Sequence, residues 1–187
     1  MTRAVLSRGS ARERVLEAAI GLFAEFGVDG TSLQMIANRL GVKKASVYYQ
    51  FHSKEDIIDA VIRPVIEDIA RLVTIAEAIP SVEARRDVTV SGMVELAVRN
   101  RRLSAVFCGD RAVEAHLRSD SAFVENADKM DALMNGPNPD LTTRVATSFL
   151  ASGLFWTAAD PKYSEVPDTE LRRALLDTAQ GFLRHFP

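Results

Sequence analysis

Between Thr31 and Ile62 the chain reads TSLQMIANRLGVKKASVYYQFHSKEDIIDAVI. The spacing of its apolar residues fits three short helices separated by two tight breaks. Thr31, with Gln34 three positions on, has the capping-box pattern, so Thr31 is expected to cap the first of them. Leu33, Ile36, Ala37 and Leu40 then fall on one helical face. Gly41 ends that helix, because glycine accepts the left-handed conformation of a C-terminal cap. Lys43 to Phe51 forms the next segment, with Val47 and Phe51 inward and Lys44, Ala45, Ser46, Tyr49 and Gln50 outward. Ser53 and Asp56 open a third helix, carried by Ile57, Ile58, Val61 and Ile62. A helix, a glycine turn and a second short helix rich in Lys, Ser and Tyr is the arrangement that reads a DNA major groove.

Three words of sequence carry the argument further: LFAEFG (Leu22 to Gly27), GTSLQMIANRLGV (Gly30 to Val42) and ASVYYQFHSKEDI (Ala45 to Ile57). With them, residues 10 to 62 resemble the N-terminal domain of TetR-family transcriptional regulators. The resemblance implies that Thr31 contacts a phosphate and that Lys44 and Ala45 meet the major groove. Lysine there can donate to guanine, and the alanine methyl can pack on a thymine methyl. Lys43 can do the same or bind phosphate. Ser46, Tyr49 and Gln50 can hydrogen-bond phosphate oxygens, Tyr48 is counted with the DNA-binding residues although its ring is expected to pack inward, and Lys54 adds a cation at the start of the connecting helix. Family members often have Ser at Lys43, Gly at Ala45 and His at Gln50. Those departures bear on which operator is read, not on the fold.

The rest of the composition is that of a soluble globular protein, with 47% hydrophobic and 26% charged residues in 187. No apolar run approaches the ~18 residues of a membrane span, and the basic start MTRAVLSRGSARER lacks a signal-peptide core. One cysteine, Cys108, suits a reducing compartment, so a cytoplasmic location is expected. The net charge of −2 hides an asymmetry: residues 1–63 hold nine Lys/Arg against seven Asp/Glu, and the remainder fourteen against eighteen. A basic reading head on an acidic body has that distribution.

Residues 1–9 read as an arm, either solvated or reaching DNA with its arginines. A helix follows, capped by Ser10 and Glu13, with Leu16, Ala19, Phe23 and Phe26 inward. The expected domains are 1–52, for DNA, and 53–187, for regulation and dimerisation. Pro64 predicts a kink or a boundary in the connecting helix, and Pro80 ends it. Beyond Ser81 the pattern is helical throughout, with Val90, Met93, Val94 and Ala97 inward and a short helix from Leu103 to Cys108. A longer helix runs from Asp110 to Leu133, irregular at Ser119 to Ser121. Gly136-Pro137-Asn138-Pro139 forms a loop, and two long helices follow, from Asp140 to Ala159 and from Pro167 to Phe186. No stretch alternates with period two, so the fold class is all-α.

The last two helices carry apolar stripes wider than one neighbour covers. Packed against their copies they make a four-helix bundle on a two-fold axis, as the resemblance also implies. Phe149, Gly153, Trp156, Leu171, Leu175 and Phe182 are the expected dimer contacts. The resemblance further implies a pocket for a small apolar or aromatic ligand among the middle helices, with Met93, Phe107, Cys108, Phe123, Met130 and Trp156 as candidates. The partners expected are thus a palindromic double-stranded operator, a second copy of the chain and a small molecule, with no membrane. Repression follows from the resemblance alone. A ligand-independent DNA binder and a helical protein-interaction scaffold are the alternatives. Enzyme readings find no support. His52, His116 and His185 are far apart, Gly27 to Ser32 lacks the lysine of a phosphate loop, and no catalytic residue, metal site or cofactor is indicated.

Overall fold

The computed structural model describes residues 10–107 and 110–184, and of Phe107 only the backbone. The arm of residues 1–9, Cys108, Gly109, His185, Phe186 and Pro187 lie outside the described residues. Every regular element among the described residues is helical, in agreement with the all-α expectation.

The first unit holds α1 (Ala11–Phe26), α2 (Leu33–Leu40), α3 (Lys44–Gln50) and the start of α4 (Lys54–Glu77). The capping box predicted for α1 forms: Glu13 N–H donates to Ser10 Oγ at 3.2 Å, and Ser10 N–H to the Glu13 carboxylate at 2.7 Å. Its buried face is Val15, Ala19, Leu22 and Phe23, with Phe26 exposed. The expected stripe of Leu16, Ala19, Phe23 and Phe26 is corrected accordingly. Val28, Ile36, Ala37, Val47, Phe51, Ile57 and Ile58 complete the core of this unit.

α4 is helical straight through Pro64, which is not a helix boundary. The two compact units divide between Arg63 and Pro64 all the same, eleven residues beyond the division expected from the sequence. An interior proline costs about 3 kcal/mol, and the stripe Ile57, Ile58, Val61, Ile62, Ile66, Ile69, Val73 and Ala76, all buried, offsets it.

The second unit adds α5 (Val82–Arg99), α6 (Arg101–Phe107), α7 (Arg111–Ser119), α8 (Ser121–Asn135), α9 (Leu141–Ala159), a 3₁₀ turn at Pro161–Tyr163 and α10 (Asp168–Leu183). α5 is its axis, packed by α8, α9 and α10. Val90, Met93, Val94, Leu96, Ala97 and Val98 are all buried, on more than one face of α5. The helix expected from Asp110 to Leu133 is two helices. Asp120 takes an extended conformation, its N–H closing α7 on Leu117 O and its carboxylate accepting from Phe123 N–H at 2.9 Å to open α8.

Candidate nucleic-acid interface

α2 is capped by Ser32, not Thr31. Ser32 Oγ accepts the Met35 N–H at 3.3 Å. Thr31 is 4% exposed, its hydroxyl donating to Gly27 O at 2.8 Å and its N–H to Val28 O at 3.2 Å. The expected cap and phosphate ligand is therefore an internal brace for the turn between α1 and α2, because the side chain is buried against that turn. Ser32, exposed beside it, is the hydroxyl that faces outward.

Gly41 closes α2 at φ 66°, ψ 31°, and Val42 N–H reaches back to Ala37 O at 3.0 Å. That turn starts α3 three residues later. Val47 and Phe51, one helical turn apart, are buried and anchor it. Lys43, Lys44, Ala45, Ser46, Tyr48 and Tyr49 are exposed and Gln50 is half-buried; Tyr49 is 82% accessible. Among the described residues neither Lys43 nor Lys44 is held in an ion pair. The expectation that the Tyr48 ring packs inward is overturned. With Val47 and Phe51 already inward, Tyr48 falls about 100° round the helix and stands edge-on to His52, ring centroids 5.2 Å apart.

Lys54, expected to face phosphate, donates from Nζ to Val28 O at 2.8 Å and lies 3.7 Å from the Asp29 carboxylate. Part of its donor capacity is thus committed to the α1–α2 turn. Ser53 and Asp56 cap α4 reciprocally, as expected. Arg39 of α2 grips Glu25 of α1 with two bonds, at 2.9 and 2.7 Å. Those hydrogen bonds hold the Glu25 carboxyl below its usual range. The result is a rigid three-helix support presenting one short helix with two cations, small side chains and a phenol. Such a surface can neutralise phosphates while small residues let the helix approach base edges.

Residues 15–61 match the family described as bacterial regulatory proteins, tetR family. That TetR-type match lies within the helix-turn-helix unit. Over 48 residues it is 46% identical to the biofilm operon icaADBC HTH-type negative transcriptional regulator IcaR of Staphylococcus aureus (strain Newman), 26% of each chain. The matching protein of Staphylococcus epidermidis is 44% identical over 46 residues. The chain thus spans about a quarter of the length of these curated relatives, and both are named as regulators, not enzymes. The ketosteroid transcriptional regulator KstR2 of Mycobacterium tuberculosis superposes with a TM-score of 0.73 at 20% identity, covering 98% of both chains. AmtR of Mycobacterium smegmatis does so at 0.71 and 20% identity, covering 97% of this chain and 89% of its own. In both, the likeness of fold extends beyond the reading unit to the helical body.

The structure divides the residues expected to line a ligand pocket. Met93 and Met130 share a cleft of about 300 Å³ with Met134, Ala151 and Phe155, while Trp156 borders another, of about 480 Å³, with Ala105 and Pro161. Phe123 packs against the core. Cys108 and the Phe107 side chain lie outside the described residues. Met134 was missed although it stands one turn beyond Met130 on α8, a spacing that could have identified it. Among the described residues no three His, Cys, Asp or Glu side chains group as a metal site, and no helix is long and apolar enough to cross a membrane.

Of the expected dimer contacts, Phe149 is 71% and Trp156 57% exposed, joined along α9 by exposed Leu141 and Val145. Gly153 is half-buried between them. Phe182 stacks on Phe149, centroids 6.3 Å apart at 25°. Leu171 and Leu175 are corrected: both are buried in the chain's own core, because α10 spends that stripe on α5.

Proposed function

We propose that this chain is a TetR-family, sequence-specific transcriptional repressor, acting as a homodimer on a palindromic operator and released by a small molecule. The observation that carries the reading is α3: an anchored, solvent-facing helix on which Lys44, Ala45, Ser46 and Tyr49 stand exposed after a left-handed glycine turn. In this reading Lys44 and Ala45 meet base edges. Lys43, Ser46, Tyr48, Tyr49 and Gln50 serve the backbone, and Ser32 takes the place first expected of Thr31. The name of IcaR as a negative regulator supports repression.

Dimerisation is supported by the apolar stripe of α9, which leaves Leu141, Val145, Phe149 and Trp156 in water in one chain. Two copies meeting there would present two α3 helices to half-sites about 34–36 Å apart, or a multiple of that. The sensor role is supported by the cleft lined by Met93, Met130 and Met134, whose flexible thioethers suit an apolar ligand. Such a ligand need only prefer the conformation that does not bind DNA, by about 1–3 kcal/mol.

The test is titration of the purified protein on duplex DNA from upstream of its own gene, against random competitor. A footprint on an inverted repeat, lost on addition of an apolar small molecule, is expected. Equal affinity for competitor would refute the regulator; an unresponsive footprint would leave the ligand-independent binder.

A further inference from the structure

We infer that Arg12, in the first turn of α1, is the positioning residue that sets the angle of the reading helix α3; the inference rests on the DNA-binding reading above. α3 has seven residues, too few to be stable alone. Its N-cap, Lys43, makes no side-chain capping bond, and its last turn has no basic residue. A helix C-terminus leaves carbonyls unsatisfied and carries partial negative charge. Arg12 supplies a donor and a positive charge to that C-terminus from another helix. Its Nη1 donates to Gln50 O, the last carbonyl of α3, at 3.1 Å, and its guanidinium lies over the buried Phe51 ring, 4.1 Å from the centroid.

These two contacts act together. Phe51 anchors the end of α3 in the core, and the guanidinium fixes where the carbonyl beside it points. Arg12, Gln50, Phe51, Asp56, Asp59, Ala60 and Arg63 surround a recess of about 390 Å³. The end of α3 therefore borders open space, and a shift into it would meet Arg12 instead of packed side chains. Tilting α3 moves Lys44 and Ala45 relative to base edges, whereas flexible phosphate contacts tolerate the tilt. Arg12 accordingly governs discrimination more than overall affinity, although its charge invites a phosphate role.

Arg12→Met keeps the stem and removes the donor and the charge; Arg12→Lys keeps a cationic donor. Affinity for the operator and for random duplex is measured across salt concentrations, with thermal unfolding in parallel. For Arg12→Met, operator affinity is expected to fall roughly tenfold, the size of one misaligned base contact. Random-duplex affinity and the salt slope should stay unchanged, and Arg12→Lys should recover most of the loss. Equal loss on both duplexes, with a slope shallower by about 0.9, would make Arg12 a phosphate ligand and overturn the inference. An unchanged operator-to-random ratio in a folded Arg12→Met protein would overturn it too. If Arg12→Met does not fold, Arg12→Lys decides: a planar fork is lost, so a small drop in the ratio is expected and none refutes. A wild-type protein with no operator preference would sink the DNA reading itself, before any variant is compared.

Discussion

The Thr31 hydroxyl donates to the Gly27 carbonyl at 2.8 Å from a nearly fully buried position, tying the end of α1 to the start of α2. Thr31→Val preserves shape and leaves that carbonyl without its partner. A loss of about 1–3 kcal/mol in urea unfolding is expected, with the DNA affinity of the folded protein unchanged. Ser32→Ala should cost about 1 kcal/mol through the lost cap of α2. An equal loss of affinity on operator and random duplex by folded Thr31→Val would return it to the phosphate contacts.

Lys44 and Tyr49 should fail differently. In the proposed complex Lys44 reaches a base edge, so Lys44→Ala should cost about 1–3 kcal/mol on the operator and relax preference at one base pair of each half-site. Tyr49→Ala should weaken all sequences alike. Competition binding against single-substituted operators separates the two patterns.

Phe149→Glu and Trp156→Glu place charges on side chains that are mostly exposed within one chain. Analytical ultracentrifugation should find these variants monomeric, with circular dichroism unchanged. Leu175→Ala is the contrast: it opens a core cavity and should cost about 2–5 kcal/mol of stability. A dimeric Phe149→Glu protein would remove α9 from the interface.

A Cβ on Gly92 of α5 would lie 2.2 Å from Leu72 Cδ1 of α4. Gly92→Ala should therefore destabilise the body by about 1–3 kcal/mol through overpacking. Leu72→Ala in the same chain should recover part of that, as a double-mutant cycle would show.

Among the described residues four carboxyls are held below their ordinary values: Glu25 and Glu125 by side-chain hydrogen bonds from Arg39 and Lys129, and Asp140 and Asp160 by the backbone N–H groups of Thr143 and Lys162. In each case the folded state prefers the ionised form more than the unfolded chain does. The stability they contribute is present above the ordinary values of 4.5 and 3.8 and is lost as pH falls through the lower folded ones. Melting temperature measured from pH 7 to pH 2.5 should fall less steeply at the acid end for Asp140→Asn than for the parent protein.

Much of the fold was already legible in the sequence, since caps and breaks act over three or four residues. Ser10 with Glu13, Gly41, Ser53 with Asp56, Asp140 and the Gly136 to Pro139 loop all mark element ends through groups adjacent in the chain. Exposed Lys44, Ala45 and Tyr49 were legible too, because helical periodicity assigns the outward face once Val47 and Phe51 are recognised as inward. What tertiary structure alone decided was how each polar or apolar group is used when several uses fit locally. Thr31 and Ser32 are both good caps, and burial selected Ser32. Leu171 and Leu175 could equally have faced a second chain, until α5 covered them. Lys54 was drawn to a carbonyl twenty-six residues earlier, and Arg12 to one thirty-eight residues later. Periodicity reports which residues share a face; which neighbour covers that face depends on contacts between segments that are distant in sequence, and these form only when the chain packs.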